Sequence, residues 1–283
     1  MPTILLIGLI MFIPIINVFI LSLQNYSFTR LSQRAFIGFE NFVRLFVKDS
    51  MFKSSIFITL KWVFFEVLLQ LFFGLIISLL LNESFRCRSL VRAVVFIPWA
   101  VSGVLTTMLW ILMYNEHIGI INALFIKFGL INRPIAWLAN TKTVFASVIA
   151  AEVWRGIPFF AITLLAALQT IPRDIYESCD VDGFSAWQKF LYITLPFLKD
   201  SIILTTLLRS IWEFNSIDMI FTMTSGGPMN LTTTVSIYLM QTAILKTDYG
   251  YGSAIGASCF FFLLLFSIIY LGWSRYSKEN FNG

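Results

Sequence analysis

The sequence predicts an all-α polytopic membrane protein with six transmembrane helices. Composition is the first reason: of 283 residues 58% are hydrophobic and 12% charged, with a mean hydropathy of +0.83. A soluble chain would be roughly 25% charged and 45–50% apolar, so there is too little polar material to coat a water-soluble globule. The second reason is six separate apolar stretches, each close to the about 20 residues that an α-helix needs to cross a hydrocarbon core of about 30 Å. Composition excludes a cytosolic enzyme. The net charge of +5 does not indicate a nucleic-acid partner, because Lys and Arg never form a block that could follow a phosphate backbone.

The six stretches are Ile4–Leu23, Trp62–Leu81, Val94–Met113, Val144–Leu165, Ile202–Thr222 and Ala254–Trp273. The first has no basic leader, no small-residue cleavage site and too long an apolar run for a signal peptide, so it is expected to be a retained span. Gly38–Phe46 is amphipathic and reads as a helix lying at an interface, or as a loop helix packed on the bundle. His117, in the loop Tyr114–Asn122, reads as a solvated residue. Gly252 and Gly256 give the last span a small-xxx-small packing surface. Cys87, Cys179 and Cys259 are too dispersed for a disulfide framework or a zinc motif, and one histidine builds no metal site. No catalytic and no metal-ligating residue is assigned. Residues 1–283 are expected to form a single transmembrane domain with one structured loop, 171–196, outside the membrane.

Six spans put both termini on one side, but the basic residues do not say which. Arg86, Arg88, Arg92, Arg173, Lys189, Lys199, Arg275 and Lys278 fall on the side of the 171–196 loop. Arg30, Arg34, Arg44, Lys48, Lys53, Lys61, Lys127, Arg133, Lys142 and Lys246 fall opposite. Counting leaves the orientation open.

The 171–196 loop is strongly patterned. Pro172 suits a first helical turn, where its missing N–H costs nothing, and Asp174 and Glu177 sit near the positive end of that helix. Gly183 is a natural helix stop. Ser185 and Gln188 have capping-box spacing for a second helix, which Pro196 is expected to limit. The loop therefore reads as helix, glycine turn, helix.

Glu177-Ser178-Cys179, Gly183 after three residues, and Ile193-x-Leu195-Pro196 after nine more resemble the EAA motif of binding-protein-dependent ABC importer permeases. Neighbouring words are similar to the carbohydrate branch, the maltose- and glycerol-phosphate-type permeases. They include Trp154-Arg155-Gly156-Ile157-Pro158-Phe159, Leu168-Gln169-Thr170-Ile171-Pro172, Asp182-Gly183, Thr224-Ser225-Gly226-Gly227-Pro228 and Tyr249-Gly250-Tyr251-Gly252. The likeness runs from about Phe12 to Gly272. Ser178-Cys179 departs from the usual Ala-Ala, a small-for-small change.

The resemblance implies the fold of a type I ABC importer transmembrane domain in a bacterial or archaeal inner membrane, multi-pass, with both termini cytoplasmic. It implies that the EAA loop docks on an ATPase, with Glu177, Ser178, Cys179, Asp182, Gly183 and Pro196 as coupling residues. Small residues at 178 and 179 would admit the partner surface, Gly183 would permit the turn, and Glu177 would offer a carboxylate to a basic partner. Two ATPase subunits carrying ATP and Mg, a second related permease and an extracytoplasmic solute-binding protein complete the expected assembly. The last would touch Ser225, Gly226, Gly227 and Pro228. This chain has no Gly-x4-Gly-Lys-Ser/Thr and would hold no cofactor itself.

Ionisable residues inside spans are costly and mark functional positions. Glu66, Glu152, Arg155, Arg209, Glu213 and Asp218 are of this kind. Arg209, Glu213 and Ser216 share one helix face, flanked by Trp212 and Asn215, and Glu152, Arg155, Gly156 and Phe159 cluster on the preceding span. Polar groups beside aromatic plates suit a hydroxylated solute. In the resembled family these two helices line the translocation path. The alternative is that the same residues join helices to one another. Two other classes stand against the importer. A secondary transporter of a small polar solute would need its own ion site and often shows internal repeats. An intramembrane enzyme would need convergent catalytic groups.

Overall fold

The computed structural model describes residues 8–29 and 34–279, with side chains to 274. Residues 4–7 of the first predicted span, and Arg30, lie outside the described residues. Helix α1 covers Gly8–Ser22. A short antiparallel pair follows, β1 (Gln24–Asn25) with β2 (Ala35–Phe36), and then α2 (Glu40–Val43), prolonged by a π turn Arg44–Lys48. The amphipathic segment 38–46 is thus helical in its larger part.

Helix α3, Ser50–Asn82, is 33 residues long, about 50 Å at 1.5 Å per residue. It begins well before the predicted Trp62 because its first turns carry polar residues that a search for apolar runs rejects. Asp49 caps it, its Oδ1 accepting from the Phe52 N–H at 2.9 Å. The hydroxyls of Ser55 and Thr59 turn back onto the Phe52 and Ser55 carbonyls at 2.8 and 2.7 Å.

The third predicted span, Val94–Met113, is not one straight helix. Helices α4 (Arg88–Ala100) and α5 (Gly103–Met113) meet at 93°. Pro98 near the end of α4 withholds a donor, and Val101 and Ser102 are extended, with ψ of 140° and 136°. Helix α6 is Ile120–Lys127, and α7, Val144–Leu168, realises the fourth predicted span with three more residues.

Beyond it, α8 is Arg173–Val181, and Gly183 turns the chain at φ +76°. The next helix does not stop at Pro196. Helix α9 runs Ala186–Phe214, opened by the expected capping box between Ser185 and Gln188. A π turn at Phe190–Thr194 directly precedes Leu195 and Pro196, and its wider winding accommodates a residue that cannot donate. The expected continuation to Thr222 fails at the other end. Asn215 closes α9, and α10 (Asp218–Thr224) starts anew with Asp218 at its positive end. Helices α11 (Val235–Leu245) and α12 (Tyr249–Glu279) complete the chain. Among the described residues, four helices are long and apolar enough to cross a membrane, five if α4 and α5 together form one span.

The chain divides into two compact units, Met1–Lys61 with Thr232–Gly283, and Trp62–Leu231. In the first, α1 lies along α12, with Phe19 against Phe260 and Phe261 at 5.8 and 5.7 Å. The Gly252 and Gly256 surface packs inside the chain, on α11: a Cβ added at Gly252 would meet the Ala243 Cβ at 2.6 Å. Tyr238 and Tyr251 both donate to Asp49 Oδ2 at 2.5 Å, which ties α11 and α12 to the cap of α3. In the second unit α7 is the most enclosed of the four long apolar helices. Gly74 lets α3 approach α7 so closely that a Cβ there would lie 2.4 Å from that of Phe160.

Burial opposes ionisation of Asp49, but the two tyrosine hydroxyls and the Phe52 and Met51 amides outweigh it and hold the carboxyl below its ordinary value. A depressed carboxylate stabilises the fold above its unfolded pKa, near 3.9, and loses that contribution as pH falls through the lower native value. Asp49→Ala should therefore cost about 1–3 kcal/mol at neutral pH and remove part of the acid sensitivity of the thermal midpoint. Equal acid sensitivity in variant and parent would contradict the role given to this carboxylate.

Candidate functional site

Three helices of the second unit bring buried polar groups to one place. On α3 the residues Trp62, Glu66 and Gln70 stand four apart, hence on one face, and all three are at most 1% exposed. Helix α7 contributes Glu152 and Arg155, and α9 contributes Arg209 and Glu213. The centre is Glu152. Its Oε1 accepts from Arg155 Nη2 at 2.7 Å and from Arg209 Nη2 at 3.3 Å. Arg209 also reaches Glu213 Oε1 at 2.6 Å and, through Nε, Gln70 Oε1 at 2.7 Å. Gln70 Nε2 donates to Glu66 Oε2 at 2.8 Å, and Trp62 Nε1 donates to Glu213 Oε2 at 3.1 Å.

Glu152, Arg155, Arg209 and Glu213 are thereby joined as ions across α7 and α9, and Gln70 and Trp62 tie them to α3 by hydrogen bonds. Removing one partner of such a group leaves an uncompensated charge in a dry interior. Glu66 Oε1 alone in this cluster is buried with no partner.

Beside the network lies an open cavity of about 280 Å³. Glu152, Arg209 and Glu213 form its floor, and Arg155, Trp212, Asn215, Ser216 and Asp218 its more accessible wall. Trp212 is half exposed and meets the Phe159 ring at 5.1 Å. The residues singled out on the two spans divide by contact: Glu152, Arg209 and Glu213 join one another in the network, and Arg155, Trp212, Asn215 and Ser216 face open space. Ser216 does not continue the α9 face, since the helix has ended, but its N–H bonds the Glu213 carbonyl at 3.2 Å. Gly156 does not line the cavity. It makes room for Gln70, whose side chain a Cβ at 156 would strike at 2.3 Å. Trp62 and Gln70 were missed; their four-residue spacing about Glu66 was the available signal.

The α8–α9 hairpin rests on the cluster of Leu168, Ile171 and Leu198, with Tyr176 and Ile193 packed against it. Tyr176 and Thr194 share a hydroxyl hydrogen bond of 2.9 Å, and Lys189 pairs with Asp180. Glu177, Ser178, Asp182 and Pro196 are exposed. Cys179 is buried, at 7% exposed. Outward apolar groups include Val181, 88% exposed, and Trp187, stacked on Phe190 at 5.5 Å. Ser225 and Gly226 adopt left-handed backbone, and Gly227 donates to the Thr224 carbonyl at 2.8 Å, giving Ser225–Pro228 a tight turn after α10.

Residues 70–280 match the family of binding-protein-dependent transport system inner membrane components. The chain belongs to that family. It is a membrane permease component of an ABC transport system and not an enzyme. It is 35% identical over 279 residues to the trehalose/maltose transport system permease of Thermococcus litoralis, covering 99% of this chain and 93% of the relative. It is 32% identical over 270 residues to the sulfoquinovosyl glycerol transport system permease of Agrobacterium fabrum, covering 95% and 87%. In fold it is similar to a chain of a bacterial ABC transporter involved in import of the acidic polysaccharide alginate, with a TM-score of 0.82 at 24% identity and coverage of 97% and 93%.

Glu152→Ala takes from Arg155 its ion-pair partner and from Arg209 one of its two, and should destabilise the purified complex more than Glu213→Ala, itself costing about 3–5 kcal/mol. Asp218→Asn, at the cavity wall, should stay within about 0.5 kcal/mol of the parent. Thermal midpoints of the three variants test this division, and an Asp218→Asn loss as large as that of Glu152→Ala would refute it.

Proposed function

We propose that the chain is one of two related permease subunits of an ATP-driven importer for a sugar or related solute. The observation that carries this is mechanical continuity. The α8–α9 hairpin is seated on the ends of α7 and α9, and those two helices carry the cavity wall and the ionic network. A push on the hairpin is therefore transmitted to the cavity through two rigid helices and a shared set of ion pairs. Two partner ATPases, which bind ATP and Mg, would take the hairpin through Glu177 and the exposed apolar side chains Val181 and Trp187. Their closure would shift α7 against α9 and change access to the cavity. A solute-binding protein would deliver the solute at the opposite face, by way of Ser225–Pro228.

A carbohydrate-type solute is supported by the cavity chemistry, polar groups beside the Trp212–Phe159 pair, and by relatives named for trehalose/maltose and sulfoquinovosyl glycerol transport. A solved relative is described in complex with an alginate-loaded periplasmic protein. In this reading the hairpin and both termini are cytoplasmic.

Glu177→Lys and Gly183→Pro should each leave the subunit inserted, reduce co-purification of the ATPase and abolish most uptake; normal uptake in both would defeat the coupling role. Orientation has its own test. Exposed Cys87 should react with a membrane-impermeant maleimide in inverted vesicles and not in intact cells, while buried Cys179 stays unlabelled until the protein is denatured. Labelling of Cys87 in intact cells would reverse the assigned topology.

A further inference from the structure

The first unit contains a second polar cavity, of about 350 Å³, which lies within the size range of small-molecule sites. It lies where β1, the π turn after α2, the end of α11 and the start of α12 come together. Its walls include Arg44, Lys246, Asp248 and the hydroxyl residues Ser27, Thr29 and Thr242.

The two cations make no ion pair among the described residues. Arg44 lies over the Tyr251 ring with its Cζ at 4.2 Å, and Lys246 Nζ stands 5.9 Å from the Tyr238 ring. Their N–H groups remain available as donors. Asp248 uses one oxygen to accept the Tyr251 N–H at 3.2 Å. Thr242 is 3% exposed and neighbours the Tyr238 hydroxyl, which is committed to Asp49. The Thr242 Oγ1 is buried with no hydrogen bond of good geometry. A buried hydroxyl left in this way is costly, and here it belongs to a cavity wall.

Charge decides the class of ligand. Arg44 and Lys246 are balanced by Asp248 and by Asp49, which receives the Tyr238 and Tyr251 hydroxyls behind the cavity. With two cations against two carboxylates, the site has no net charge to concentrate an ion. It offers strong donors, strong acceptors and hydroxyls around one space. A neutral polyol, whose hydroxyls both donate and accept, satisfies all of them together. The cations already cover the tyrosine faces, so recognition would come from hydrogen bonds and not from ring stacking.

We infer that this cavity is a second solute site, taking a neutral, polyhydroxylated molecule of one or two sugar rings, separate from the cavity between α7 and α9. Only the choice of solute rests on the function proposed above. The site would hold a sugar beside the bases of α3 and α12 and so raise its local concentration during transfer.

The test uses the purified transporter complex in nanodiscs, without ATP or binding protein. Maltose, trehalose and inorganic phosphate are the probes, with saturation-transfer NMR for the sugars and ³¹P line broadening for phosphate. Thr242→Val and Lys246→Gln should each weaken maltose or trehalose binding by about tenfold, one lost hydrogen bond's worth. His117→Gln, at an exposed loop position outside both cavities, should leave that binding intact. Thr242→Val separates recognition from packing, because a hydroxyl with only a structural place would leave the thermal midpoint equal or higher and binding unchanged. Absence of sugar binding, binding equal in parent and both cavity variants, loss only in Asp218→Asn of the other cavity, or binding of phosphate alone would each overturn the inference. Failure of the path reading would show separately, as Asp218→Asn with unaltered uptake.

Discussion

The shared acceptor at Glu152 is the interaction on which the second unit depends. One carboxylate from α7 meets guanidinium groups from its own helix and from α9, and Gln70 carries the connection to α3. In an apolar surround such an arrangement holds only when every charge is compensated, because attraction in low dielectric is large and so is the cost of an unpaired ion. It therefore defines how three otherwise greasy helices meet. Leucine and phenylalanine surfaces slide over one another at little cost, whereas an ion pair between α7 and α9 with hydrogen bonds to α3 has one good register.

Close helix approach makes that register possible. Gly156 leaves the space that Gln70 fills, and Gly74 brings α3 onto Phe160. Gly103, at the start of α5, sits so near Arg155 that a Cβ there would fall 2.8 Å from Nη1. Three glycines thus position a glutamine, a phenylalanine and an arginine. None of them lies in a turn. In membranes, where there is no hydrophobic drive between helices, small residues of this kind contribute through the contacts that they permit.

The first unit solves the same problem with a different device. Asp49 caps α3 through Oδ1 and receives two tyrosine hydroxyls on Oδ2. One side chain thereby ends a helix and binds two others. The contrast between the units is chemical: buried arginines neutralise carboxylates among the long helices, while phenolic hydroxyls and backbone amides stabilise one at a helix end.

Much was legible in the linear chain. The apolar stretches identified a helical membrane protein, because a segment in hydrocarbon must satisfy its backbone internally and only a long apolar run can do so as a helix. The capping box at Ser185, the turn at Gly183 and the EAA spacing disclosed the hairpin, since caps and turns are local. The polar candidates on the fourth and fifth spans lie on the two helices that the structure joins by an ion pair. Three things needed tertiary structure. The long start of α3 was hidden because its polar hydroxyls are satisfied by carbonyls of their own helix, which a search for apolar runs does not register. A π turn carries one helix past Pro196, while two extended residues follow Pro98 and break the other at 93°. Finally, the spacing of Arg209 and Glu213 proposed a pair, but the role of Glu152 between two arginines depends on which faces of α3, α7 and α9 meet. That is decided by packing at Gly74 and Gly156, which no local pattern encodes.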